Sequence, residues 1–181
     1  MSRNRYVGDY RIVETLDERG RVVSRSEYTG KHYRFVEDDV TVRGARMWVG
    51  ACCIVGWAAY VLALLPLSVA TRTIYVSLPF VFAALPLALT SGTALSVFHT
   101  KPPFERRFVD RLENRAPAAT FFVMLLSGLS LAGECVNALR GHGLLWGDAA
   151  FSIGAAVLFA CGKFAHGQWK RFKCVPTDAF E

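Results

Sequence analysis

The sequence predicts an all-α membrane protein: four transmembrane helices, a small N-terminal cytosolic β-hairpin or meander, and an interfacial amphipathic helix. Three observations carry this. Residues 47–70, 74–98, 118–139 and 149–169 each supply the roughly 20 predominantly apolar residues that one bilayer crossing needs. Hydrophobic residues make up 52% of the chain and charged ones 20%, yet the charges lie almost wholly outside those four stretches. A soluble core helix is usually shorter and keeps a polar stripe. The third observation is asymmetry. Arg43, Arg46, Lys101, Arg106, Arg107, Arg111, Arg115, Lys170, Arg171 and Lys173 gather at one set of span ends, against Arg72 and Arg140 at the other. Positive charge favours the cytosolic side, so both termini and the middle loop are expected there, in a cell (inner) membrane.

Residues 1–46 form the cytosolic N-terminal segment. Nothing in them reads as a secretory signal, so the first span is expected to insert directly. Tyr10-Arg-Ile-Val-Glu-Thr-Leu16 and Arg21-Val-Val-Ser-Arg-Ser-Glu-Tyr28 read as strands about an Asp17-Glu-Arg-Gly20 turn, with Asp first and Gly last as a type I turn with a bulge prefers. Lys31-His-Tyr-Arg-Phe-Val36 could complete a three-stranded meander. Three short strands bury too little to stand alone, so the element should lean on the membrane, the middle loop or another chain.

The bundle occupies 47–169. Only Thr71-Arg72-Thr73 separates the first two spans, which forces a tight hairpin. The second span contains Pro79 and Pro86, each of which frees a carbonyl and should bend it. Ala84, Ala88, Gly92 and Ser96 recur every fourth residue along it, a stripe that lets a neighbouring helix approach closely. Ser152, Ala156 and Ala160 repeat the pattern on the fourth span.

In the middle loop, Pro102 and Pro103 suit the first positions of a helix. Phe104, Phe108 and Leu112 then line one face of an amphipathic helix over 103–115, expected to lie apolar face down at the lipid interface. Docking of that face on the N-terminal segment or a partner is the alternative. Asp148 is placed to cap the fourth helix. Trp48 and Trp169 mark one headgroup level and Trp146 the other. Residues 170–181 form a cytosolic tail.

Few residues could carry chemistry. Glu134 falls well inside an apolar stretch, where a carboxylate commonly lines a pathway or pairs with a cation. It is therefore the candidate transport or pairing site, with Arg72 and Arg140 as possible anchors. Lys163, in the cytosolic half of the fourth span, can snorkel to headgroups. His99 and His166 are not placed to face each other across a haem, and no residue set reads as a metal or cofactor site. The five cysteines form no CxxC pair, and Cys135 beside Glu134 has no second thiol on its face.

A net charge of +6 could suggest nucleic acid, but the basic residues flank apolar runs and so read as topology and lipid attraction. The expected function is a non-enzymatic accessory or regulatory membrane subunit. Its partners would be membrane lipids and either further copies of itself or a larger membrane protein. A small oligomeric transporter or channel using Glu134 is the alternative.

Overall fold

The computed structural model describes residues 7–16, 22–65, 73–140 and 146–177. The turn at 17–20, the end of the first span, Arg72 and His142 lie outside the described residues. Four helices follow one another: α1 Asp39–Leu64, α2 Ile74–His99, α3 Arg106–Leu139 and α4 Trp146–Trp169, each long and apolar enough to cross a membrane. They pack as a ring in which α1 and α3 each touch both α2 and α4. Successive helices run antiparallel, so α1 begins and α4 ends at one end of the bundle, the terminal end. The end of α1, the start of α2, the end of α3 and the start of α4 lie at the other, distal end.

The outward faces are apolar as well. Ile54, Leu62, Leu85, Leu95, Phe122 and Ile153 are all exposed, a belt that water would penalise and hydrocarbon would not. Trp48 and Trp146 are exposed near opposite ends of that belt. Inside, one core collects Val76, Phe80, Phe151 and Leu158, with the Tyr60 ring stacked on Phe80 at 5.0 Å. A second, at the terminal end, collects Val42, Val49, Val97, Leu112, Trp169 and Phe172.

Helix α1 starts eight residues before the apolar stretch that marks it in the sequence. Val42, Ala45 and Val49 are buried in the terminal core while Arg43 points outward, so these turns are amphipathic and hydropathy alone passes over them. Helix α2 is interrupted at Ala83, between Pro79 and Pro86. Each proline lacks the N–H that would hold the preceding turn, and the break falls where those two losses meet.

Three expectations are corrected at the terminal end. The stretch 103–115 is not a separate interfacial helix. Helix α3 begins at Arg106 and runs without a break into the third span, through a π-helical turn at Arg111–Arg115. Pro117 follows, and its ring cannot accommodate a regular carbonyl four residues earlier, at Glu113; the wider turn relieves that conflict. Phe104 and Leu112, expected to face lipid, are both fully buried. Phe104 packs on Phe35 at 4.6 Å and on Phe108 at 4.8 Å, so the face docks on the N-terminal segment. Trp169, expected at the lipid interface, is buried beside Phe172 at 5.4 Å.

The strands also depart from a meander. β1 Tyr10–Leu16 and β2 Val22–Tyr28 form the expected antiparallel hairpin, with Tyr10 opposite Tyr28. β3 Tyr33–Phe35 pairs instead with β4 Cys174–Pro176, which follows the last helix. On its other side Tyr33 exchanges backbone hydrogen bonds with Phe104, at 2.9 and 2.8 Å. The hairpin is fastened to the same region. The Tyr10 hydroxyl donates to Glu105 at 2.5 Å, and the Arg106 amide donates to the Tyr28 hydroxyl at 3.1 Å.

Candidate functional site

At the distal end, the first turn of α2, the last turns of α3 and the first turn of α4 enclose a polar cluster. Glu134 is buried on α3. One turn further on, the Asn137 side-chain amide donates to the Glu134 carboxylate at 3.3 Å. The Asn137 carbonyl oxygen accepts from the Tyr75 hydroxyl, and its amide also reaches the Thr73 hydroxyl at 3.5 Å. Asp148, buried in the first turn of α4, is close enough for its charge to act on Glu134. A close approach makes this possible: a Cβ on Gly133 would stand 2.9 Å from a Val76 methyl, so a side chain there would have to displace Val76.

The arginine anchors have a different standing. Arg140 is exposed at the end of α3, and the partner that Glu134 shows is an amide. A buried carboxyl that keeps a hydrogen-bond donor avoids the full cost of an unsatisfied group. Asn137 and Tyr75 are residues the sequence reading passes over. An asparagine one turn from an intramembrane glutamate is the signal that could have found them.

The stripe Ala84, Ala88, Gly92 and Ser96 divides: Ala84 packs against the bundle core, while its middle does not pack on a helix of this chain. Ala88 and Gly92 are exposed, and nothing lies within 4 Å of where Gly92 would carry a Cβ. Ala156 and Ala160 are exposed on α4 too. The close approaches within the bundle fall to other small residues: Gly154 against Ala63 and the Ala59 carbonyl, and Gly162 against Met124.

Ala88 and Gly92 instead help form one wall of an open groove of about 890 Å³ between α2 and α3, with Pro86, Leu89, Phe122 and Leu126 among its lining. Arg111 and Arg115 line its terminal end. By contrast, the space at the centre of the bundle, between Thr90, Thr120, Leu158 and Cys161, is about 10 Å³, too little to hold a file of water. Lys163 points out of the bundle from α4. The Nδ1 of His166 lies 3.2 Å from both the Thr120 hydroxyl and the Pro117 carbonyl, and that of His99 lies 2.8 Å from the Leu95 carbonyl, so each ring is engaged by backbone or hydroxyl.

No protein-family model, curated protein or solved structure matches this chain.

Proposed function

We propose that the protein is a non-enzymatic accessory or regulatory subunit of the cell membrane, crossing it four times with both termini cytosolic, and that its work is association. The observation that supports this best is the uncovered groove between α2 and α3, floored by the small residues Ala88 and Gly92. Small residues raise helix affinity in lipid only when another backbone comes close enough to use them. No helix of this chain does so at Gly92.

The occupant on this reading is a transmembrane helix of a larger membrane protein, with an acidic group at its cytosolic end. Arg111 and Arg115 at the groove's terminal end supply the complementary charge. A second copy related by a twofold axis through the groove would set those arginines against their equivalents, and like charges repel strongly where water is scarce. Gentle purification tests the reading. The chain should leave the membrane with a larger polypeptide, and Gly92→Leu should release it while the released chain stays folded. A homodimer held through α2, or lipid alone in the groove, would reject it.

The transporter reading rests on a different observation, the buried Glu134–Asn137–Tyr75 cluster with Asp148 beside it. The closed bundle centre weighs against a path through a single chain, so such a path would have to form between copies.

A further inference from the structure

A pocket of about 470 Å³ opens beside the first turns of α1, bounded by Phe35 of β3 and by Pro102. Three charged side chains line it: Asp39, Arg43 and Arg46. Their spacing, four residues and then three, sets them on one face of α1. The Arg46 guanidinium lies over the Phe35 ring, 5.7 Å from its centre, and Phe35 is itself packed on Phe104 and Phe172. The cation is thus seated on a fixed aromatic cluster. Its Nε is buried and finds no acceptor in the described chain.

We propose that this pocket is a one-to-one site for the headgroup of a monoanionic phosphodiester lipid that carries free hydroxyls, of which phosphatidylglycerol is the simplest. Charge selects the phosphate. Two guanidinium groups on neighbouring turns repel each other, and two cations against one carboxylate leave the lining with one positive charge. A phosphodiester brings one negative charge and neutralises it. Guanidinium forks match phosphate oxygens in shape, and the bonds are charge-assisted. One such bond gives the Arg46 Nε the acceptor that the chain does not. Asp39 selects the rest of the head. Its carboxylate repels a second negative charge and only accepts hydrogen bonds, so it favours hydroxyls that donate. An ammonium head would also pair with Asp39, but that lipid is neutral overall and leaves the positive charge standing.

Position selects a lipid over a free anion. Arg46 immediately precedes the apolar stretch that starts at Met47, and Trp48 is exposed beside it, at the depth where headgroups lie. From Arg43 the same face of α1 continues through Met47, Ile54 and Val61, all exposed and apolar. An acyl chain can lie along that line while its phosphate stays in the pocket. A soluble phosphate gains nothing from it.

The site shares no residue with the α2–α3 groove. It rests on the reading of the chain as membrane-spanning and not on the partner proposed for the groove. Native mass spectrometry of the delipidated full-length protein in detergent tests it. Phosphatidylglycerol should be retained at one molecule per chain under conditions that strip phosphatidylethanolamine of the same acyl chains. Excess inorganic phosphate should not displace it. Arg43→Gln and Arg46→Gln should each weaken retention about tenfold, as loss of a charge-assisted hydrogen bond does. Arg171→Gln, which removes an exposed cation elsewhere at the terminal end, should leave retention unchanged. Equal retention of the two lipids, displacement by phosphate, or an Arg171→Gln loss equal to that of Arg43→Gln would overturn the proposal. The first two comparisons use the unmodified protein and do not depend on any variant folding. A chain that leaves cell membranes without detergent would instead overturn the membrane reading beneath it.

Discussion

Gly154 and Gly92 occupy opposite situations. A Cβ on Gly154 would stand 2.5 Å from that of Ala63, whereas nothing lies within 4 Å of a Cβ on Gly92. Gly154→Ala must therefore part α1 from α4, at about 1–3 kcal/mol as for other overpacked sites. Gly92→Leu should change the stability of the isolated chain by less than about 0.5 kcal/mol. Thermal unfolding of the two purified variants in one detergent separates them, and equal losses would contradict the packing described.

Glu134→Gln keeps an acceptor for the Asn137 amide, so its cost should stay below about 1 kcal/mol. Asn137→Leu removes the partner of Glu134 and of the Tyr75 hydroxyl together, and should cost about 1–3 kcal/mol. If Glu134 carries protons between copies, Glu134→Gln will abolish pH-driven flux into proteoliposomes at normal stability. Unchanged flux would leave the carboxyl a structural element.

Cys174 sits in β4, where burial and the neighbouring Glu113 push its thiol up to about 12. At pH 8 its thiolate fraction is then about one in ten thousand, and a hydrophilic maleimide should label it very slowly. Phe172 is buried under the same segment. Phe172→Ala should cost about 3–5 kcal/mol and make Cys174 label quickly, as timed mass spectrometry would record.

The hairpin should come away in alkali. Tyr10 is shifted upward from the ordinary phenol range, chiefly by its hydrogen bond to Glu105, and Tyr28 chiefly by burial. A group with a raised folded pKa stabilises the fold fully below its unfolded value, about 10 for tyrosine, and stops doing so as pH climbs through the folded value. Protease cleavage between β1 and β2 should accordingly rise above pH 10, while Tyr10→Phe should show the higher rate already at neutral pH.

Sidedness is open to a direct measurement. With the charge asymmetry as guide, cysteine introduced at His142 should react with an impermeant maleimide added outside intact cells, and cysteine at Arg171 should react only after lysis. The reverse pattern would invert the topology.

Length and apolarity are properties of a single line of residues, which is why four long apolar helices were legible in the sequence, while the amphipathic first turns of α1 and α3 were not. Contacts between lines were not. Ala84, Ala88 and Gly92 mark where a close approach is feasible, but spacing does not say which neighbour uses it, and Gly154, Gly162 and Gly133 do so inside this bundle. The Phe104, Phe108 and Leu112 face was correctly read as apolar. Its partner is protein, because β3 and the tail arrive to cover it. Three residues at Cys174–Pro176 are too few for alternation to announce a strand. Glu134 stood out because its charge type is rare in such a stretch, while Asn137 and Tyr75, being uncharged, did not.

The pairing of β3 with β4 has a consequence for how the chain is made. The ribosome delivers Tyr33–Phe35 before any of the helices, yet the strand that completes it emerges only after α4. The early strand must wait for Phe104 on one edge and, until all four helices are made, for β4 on the other. The clasp then closes only if α4 has ended on the same side of the bundle as the start of α1. A chain in which α4 ended at the distal end could not form it. The small sheet thus ties the start of the chain to its end, on one condition: that both lie at the terminal end.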